Sequence, residues 1–342
     1  MQNPIFLFVV LMIFCTALLP LKAGTRHTTF TQWSVQGEKI AVSDGHNLAI
    51  YNSSFNVEHR IILFSSDIEV QDFDLIWSPN QDNIAIHIRG QQSNGTPIST
   101  VQIWNLARGQ KIGEINDVIP VERYNRNVAW LPDNKHLSIL ASTSNTWSHR
   151  SDIYASNGSF IETWPYEEGN IYQPTWSPDG NFFVASTQSH LDLWDASSKT
   201  YLRSFAPYPN FERPIRFNPS STKIAFASYN DPGLIHIWAL NPLVPSIDLQ
   251  TGETGSFLQQ WIDDDHLWSV DYYGDLRMWD IDSNEPIFTK GLNIDIEALQ
   301  DINQNATKAL YTQDDKIIVF DIATENKLAL LSPSGEVTLL DG

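Results

Sequence analysis

Nine histidines, forty acidic residues and one cysteine are the groups with which this chain could do covalent, metal or proton chemistry. The cysteine count excludes a disulfide framework, a thiolate zinc centre and an iron–sulfur cluster. The sequence contains no G-x-S-x-G nucleophile elbow, no H-E-x-x-H helix motif and no glycine-rich phosphate loop. His46, His149 and His190 fall on expected loops. A three-histidine metal site is geometrically open to them, and surface turn histidines are the plainer reading. Asp263-Asp264-Asp265 is the densest carboxylate run. A calcium loop needs spaced oxygens and a glycine bend; without either, the run reads as a solvated acidic turn. A carboxylate pair for glycoside cleavage is defined by separation in space, so sequence spacing does not locate one. The chain is therefore read as no enzyme, with no metal and no cofactor.

The elements that would position any site come from an internal repeat. An aromatic residue followed by a turn recurs at Trp33-Ser34, Trp77-Ser78-Pro79, Trp130-Leu131-Pro132-Asp133, Trp176-Ser177-Pro178-Asp179-Gly180, Phe217-Asn218-Pro219 and Trp261-Ile262-Asp263, and in degraded form at Asp301-Ile302-Asn303. An alternating run ending in an aromatic closes each unit, at Tyr51, Trp104, Tyr154, Trp194, Trp238, Trp279 and Phe320. Within a unit the pattern predicts four short strands. In the fourth these are 173–176, 182–187, 191–194 and 201–205, separated by turns rich in Pro, Asp, Gly and Ser. No stretch after residue 24 has a convincing helical period.

WSPDG, FFVAS and LDLWD, between Trp176 and Asp195, resemble the WD40 repeat. The resemblance spans about residues 28–331. It implies an all-β, seven-bladed β-propeller of four-stranded antiparallel blades, forming a single domain over 24–342. No Gly-His pair opens a unit, so the Asp-His-Ser/Thr-Trp tetrad of well-formed WD40 blades is not expected. Stability is then expected to rest on aromatic and β-branched packing, as in a divergent, bacterial-type member. The WSPDG turn is also similar to that of TolB-like propellers. The first unit begins at once and the last has its own outer strand, 327–331. The following stretch, 335–340, either closes the ring or covers an exposed edge.

Seven indoles are assigned to packing between blades: Trp77, Trp130 and Trp176 on first strands, and Trp104, Trp194, Trp238 and Trp279 on third strands. The resemblance places seven aromatics and five of the eleven arginines on one rim, in loops 89–99, 117–127, 142–150, 165–173, 206–214 and 229–233. The binding candidates there are Arg89, Arg123, Tyr124, Arg126, Trp147, Arg150, Tyr172, Tyr208, Arg213 and Tyr229. Arginine with Tyr or Trp is the composition of protein-binding hot spots. The expected function is thus a non-enzymatic scaffold for a protein or peptide partner, acting as a monomer. The alternatives are a hydrolase or lyase working on polysaccharide or peptide at the channel mouth, and a TolB-like envelope assembly or sensor module.

The chain has 342 residues, 42% hydrophobic and 18% charged, with a net charge of -19. It can bury a large core, and its field repels nucleic-acid phosphates. Residues 5–21 are almost wholly apolar and lead into Lys22-Ala23-Gly24. This reads as a secretory signal peptide over 1–23, cleaved after Ala23, which places the protein outside the cytoplasm, secreted or periplasmic. The segment before residue 5 carries no Lys or Arg, whereas Lys22 and Arg26 follow the apolar run. A retained anchor over 5–21 is the alternative.

Overall fold

The computed structural model describes residues 29–340, except 65–66, 119–127, 143–148, 165–171, 187–189, 206–214, 228–232, 253–255 and 315. The leader expected at 1–23 lies outside the described residues. So do Arg123, Tyr124, Arg126, Trp147, Tyr208, Arg213 and Tyr229.

Seven antiparallel sheets follow one another along the chain, each built from strands consecutive in sequence. Blade 1 contains β1 (Phe30–Trp33), β2 (Lys39–Ser43), β3 (Asn47–Asn52) and β4 (Val57–Ile62). Blade 2 contains β5 (Ile68–Trp77), β6 (Asn83–Gln92), β7 (Pro97–Asn105) and β8 (Gln110–Asn116). Blade 3 contains β9 (Val128–Trp130), β10 (His136–Ser142), β11 (His149–Ala155) and β12 (Phe160–Trp164). Blade 4 contains β13 (Tyr172–Trp176), β14 (Phe182–Ser186), β15 (Leu191–Asp195) and β16 (Thr200–Phe205). Blade 5 contains β17 (Arg216–Phe217), β18 (Lys223–Ala227), β19 (Leu234–Ala239) and β20 (Ile247–Gln250). Blade 6 contains β21 (Ser256–Trp261), β22 (His266–Asp271), β23 (Asp275–Asp280) and β24 (Glu285–Gly291). Blade 7 contains β25 (Leu299–Ile302), β26 (Lys308–Gln313), β27 (Lys316–Asp321), β28 (Lys327–Leu331) and a fifth strand, β29 (Val337–Leu339). One 3-10 turn, Ile296–Ala298, is the one helical segment among the described residues.

The alternation within each strand explains the ring. Side chains of a strand point to opposite faces in turn, and each face meets a different neighbouring blade. On β6, Ile84, Ile86 and Ile88 pack with blade 1 residues such as Leu48 and Ile50, while Ala85 packs with Val128 and Leu137 of blade 3. The same division recurs around the molecule. Seven buried clusters each straddle one pair of adjacent blades, and the seventh joins blade 7 back to blade 1. The aromatics supply much of this wedge. Trp77 and Trp104 lie between blades 1 and 2, Trp130 between 2 and 3, and Trp176 and Trp194 between 3 and 4. Trp238 lies between blades 4 and 5, and Trp279 between 5 and 6.

In six blades the third and fourth strands change register at the closing aromatic: Tyr51, Trp104, Tyr154, Trp194, Trp279 and Phe320. One outer-strand residue is left unopposed there, which bends the outer strand and sharpens the twist of the blade. Trp279 Nε1 donates to Ser269 Oγ (2.9 Å) on the neighbouring strand. Trp104 instead donates to Gln102 on its own strand (3.0 Å).

The stretch after blade 7 covers an edge. β29 pairs with β28 through Ala329–Leu339, Leu330–Thr338 and Leu331–Val337. Among the described residues no strand is shared between blades 1 and 7; side chains grip the seam instead. Tyr51 OH donates to Ser332 O (2.5 Å), and Arg60 donates to Ser334 O and Gly335 O (3.1 Å each). Asp301 of β25 accepts the Trp33 N–H (2.8 Å). Gly335 has φ +87°, a conformation that favours glycine, and a Cβ there would collide with the Arg60 guanidinium.

Candidate functional site

The propeller presents two rims and a channel. The lower rim carries the turns between first and second strands, and two turn chemistries build them. In blades 1, 2 and 4, Ser34, Ser78 and Ser177 accept the N–H of Lys39, Asn83 and Phe182 respectively. Asn218 and Asn303 do the same in blades 5 and 7, each through Oδ1 to two backbone N–H groups. The unit whose motif looked degraded is therefore structurally intact: Asn303 replaces serine. Blades 3 and 6 have Leu131 and Ile262 at that position, and an Asp–His pair takes over. Asp133 Oδ1 caps Lys135 and His136, and Asp263 Oδ1 caps Asp265 and His266.

This accounts for the acidic run at 263–265. Asp263 caps its own turn and accepts the His266 ring N–H (2.9 Å). Asp264 crosses to blade 5, accepting from Asn218 Nδ2 and Ser220 N (2.8 Å each). Asp265 lies 3.6 Å from Lys223. Burial alone would raise the Asp263 pKa, but the hydrogen bonds from Asp265 and His266 outweigh it and hold the carboxyl below its ordinary range. The hydrogen bond to Asp263 correspondingly raises His266, against a smaller opposing effect of burial. Similar contacts join other lower turns, Asn80 N to Asn134 Oδ1 (2.7 Å) and Asp179 N to Ser221 Oγ (3.1 Å). The acidic run is thus a structural knot, and its carboxylates are committed to neighbours.

The channel opens at the lower rim into a cavity of about 460 Å³. The residue preceding the turn aromatic faces it from every blade: Gln32, Ile76, Ala129, Thr175, Arg216, Gln260 and Asp301. Indoles tie the wall together across blades: Trp130 Nε1 donates to Ile76 O and Trp261 Nε1 to Arg216 O (3.0 Å each). Asp301 is the one carboxylate among the described lining residues. Its two oxygens accept the N–H groups of Trp33 (2.8 Å) and Ile302 (2.9 Å). Arg216 is the one other charged residue among the described lining residues.

The upper rim carries the connections between blades and the turns between second and third strands. Arg89, expected on a loop over 89–99, lies within β6 instead. Ladder pairing runs on to Gln91–Pro97, because the alternation of IHIRG continues and leaves only residues 93–96 to turn. Arg150 and Tyr172 likewise belong to strands, β11 and β13. Arg89 is engaged within its own blade. It forms an ion pair with Asp72, lies 3.5 Å from Asp74, and its Nη1 is 3.3 Å from His87 Nδ1. A guanidinium can only donate, so His87 Nδ1 must accept, and Nε2–H donates to Ser99 Oγ (3.1 Å). His87 is fully buried, and desolvation, helped by the Arg89 charge, lowers its pKa to about 3. Among the described residues, no three His, Cys, Asp or Glu are grouped to hold a metal ion. His190 Nε2 lies 3.3 Å from Asp192.

A second feature of this rim lay outside the expected loops. The blade 6 turn DYYGD exposes Tyr272 and Tyr273, the latter 80% accessible. Its base is rigid. Buried Asp271 accepts the N–H of Tyr273 (2.9 Å) and of Asp275 (3.0 Å) through Oδ1, and Arg277 (2.8 Å) through Oδ2. Gly274 supplies the positive φ, +83°, that the turn requires. Two adjacent aromatics followed by glycine at a strand-joining turn were the available sequence signal.

No family profile and no curated protein matches the chain. Solved structures do resemble it. A chain in the crystal structure of a mitotic checkpoint complex aligns with TM-score 0.62 and 14% identity, over 86% of this chain and 90% of that one. The Cps50 (Swd1) β-propeller domain of Myceliophteria thermophila aligns with TM-score 0.60 and 10% identity, over 91% and 95%. At these identities the likeness concerns architecture: this chain has a seven-bladed β-propeller fold of antiparallel blades.

Proposed function

We propose that this propeller is a non-catalytic interaction scaffold that presents its upper rim to a protein or peptide partner outside the cytoplasm. The observation that carries the reading is the Tyr272–Tyr273 turn. Tyr273 stands in solvent and Tyr272 is partly exposed beside it, on a backbone held by buried Asp271, which also pairs with Arg277. Preorganised tyrosines offer contact area at low entropic cost. The lower rim is the contrast, since its polar groups already satisfy one another from turn to turn. By the sequence resemblance alone we extend the proposal to Arg123, Tyr124, Arg126, Trp147, Tyr208, Arg213 and Tyr229, which lie outside the described residues.

The test is site-specific photocrosslinking in the native cell. A benzophenone amino acid replaces Tyr273 in one strain and the exposed lower-rim Val35 in another. A discrete protein adduct from position 273 but not from 35 is the expected result. Adducts from 35 alone, or from neither position, overturn the reading. N-terminal sequencing of the fractionated protein tests the compartment.

A further inference from the structure

Six of the most solvent-exposed large apolar side chains lie on the outer flank of three consecutive blades. They are Phe160 and Ile161 on β12, Tyr201 and Leu202 on β16, and Leu243 and Val244 in the connection from β19 to β20. The register shifts at Tyr154 and Trp194 leave Ile161 and Leu202 unopposed by the inner strand. Leu243 is 88% exposed. Its loop is stiff: Asn241 Oδ1 accepts the Leu243 N–H (3.0 Å), Asn241 O accepts the Val244 N–H (3.1 Å), and prolines flank the pair. Directly beside it runs an apolar groove of about 450 Å³ between blades 4 and 5, whose walls include Phe182, Leu193, Leu202, Leu240 and Pro242. The groove lining includes Arg203, which keeps its charge, while Lys199 nearby is paired with a carboxylate. Arg203 donates to Ala239 O (2.8 Å) and Leu240 O (2.9 Å), and Lys199 pairs with Glu162 (2.5 Å).

We propose that this flank is a twofold interface with a second copy of the chain, in which Leu243 of each copy seats in the groove of the other. A knob and a matching hole side by side on one surface satisfy the self-complementarity of a twofold contact. Two molecules each carrying -19 repel over most of their surfaces; a groove whose described lining holds no carboxylate is where they can meet. The six side chains expose on the order of 600 Å², close to the roughly 800 Å² per partner of a standard interface, and the groove walls add to it. This surface is separate from the upper rim, so it stands or falls independently of the partner reading.

Sedimentation equilibrium of the purified full chain up to about 100 μM decides the matter. The expected result is a monomer–dimer equilibrium. Leu243→Ser should raise the dissociation constant at least about 50-fold. Ile287→Ser, on the exposed face of β24 in blade 6, should leave it unchanged. Both sites are on the surface, so equal thermal midpoints confirm intact folds. A wild-type monomer throughout the range overturns the proposal and transfers the flank to a different protein. So does a dimer that Leu243→Ser does not weaken.

Discussion

Acid sensitivity at a single buried histidine gives the sharpest check on the upper-rim electrostatics. His87 is fully buried against Arg89 and held neutral, its pKa lowered from 6.5 to about 3. In the unfolded chain the same ring binds a proton near pH 6.5. Between these values the unfolded state carries one more proton than the folded state. Stability is therefore complete above about pH 6.5 and falls as pH drops, at about 1.4 kcal/mol per pH unit. From pH 7 to pH 5 the loss from this ring alone comes to about 2 kcal/mol. His87→Gln removes the titration while keeping an acceptor for Arg89 and a donor for Ser99. The assay is urea unfolding followed by tryptophan fluorescence at pH 7 and pH 5, for both proteins. Contributions of other groups cancel in the difference between them. Between those two pH values the glutamine variant should lose about 2 kcal/mol less stability than the unsubstituted protein. Equal pH dependence in the two proteins would refute the neutral, Nε2-protonated assignment.

The seam and the lower rim yield two further expectations. Tyr51→Phe removes the hydroxyl that donates to Ser332 O and accepts the Ser332 N–H. It should destabilise the protein by about 1 kcal/mol in equilibrium unfolding, through loss of the hydrogen bonds that tie blade 1 to the 332–336 turn. His266 should titrate above 6.5 by NMR, and Asp263→Asn should bring it back towards that value. Because its folded pKa is raised, His266 contributes stability below pH 6.5 and loses it as pH climbs through the folded value. That sign is opposite to His87.

The ring was legible because each blade is contiguous and repeats the same local chemistry. An aromatic followed by Ser and a proline turn at 176–180 can be read directly, and the four strands of blade 4 fall within a residue or so of their expected ends. Asn303 in place of serine hid the last unit, although its side chain makes the same hydrogen bonds as Asn218. Loop limits were less legible. A chain reading IHIRGQQ gives no local sign of where the ladder ends, so a hairpin over 89–99 looked like a long loop. The pairing of Arg89 with Asp72 and Asp74 depends on strand register, which composition does not carry. The covering role of β29 depends on which strand edge is open, another property of the assembled sheet. The exposed flank of blades 3 to 5 was hidden for the same reason. Tyr201 and Leu202 sit in an ordinary strand pattern, and only the register shift turns them outward.

Because no strand is borrowed between blades 1 and 7 among the described residues, each sheet can form from one continuous stretch of nascent polypeptide. Blade 1 need not wait for the carboxyl terminus to leave the ribosome, as it would if its neighbour had to donate a strand to it. Local pairings of this kind form quickly, and synthesis at roughly 5–20 residues per second delivers a new four-stranded unit every few seconds. Each arriving sheet finds the apolar face of its predecessor already in place. The closing step is different in kind: the 332–336 turn, which follows all seven blades, must meet Tyr51 and Arg60 of the first blade. A ribosome stalled before residue 332 would hold a nearly complete but unlatched wheel, with the Trp33 face of blade 1 left open to chaperones.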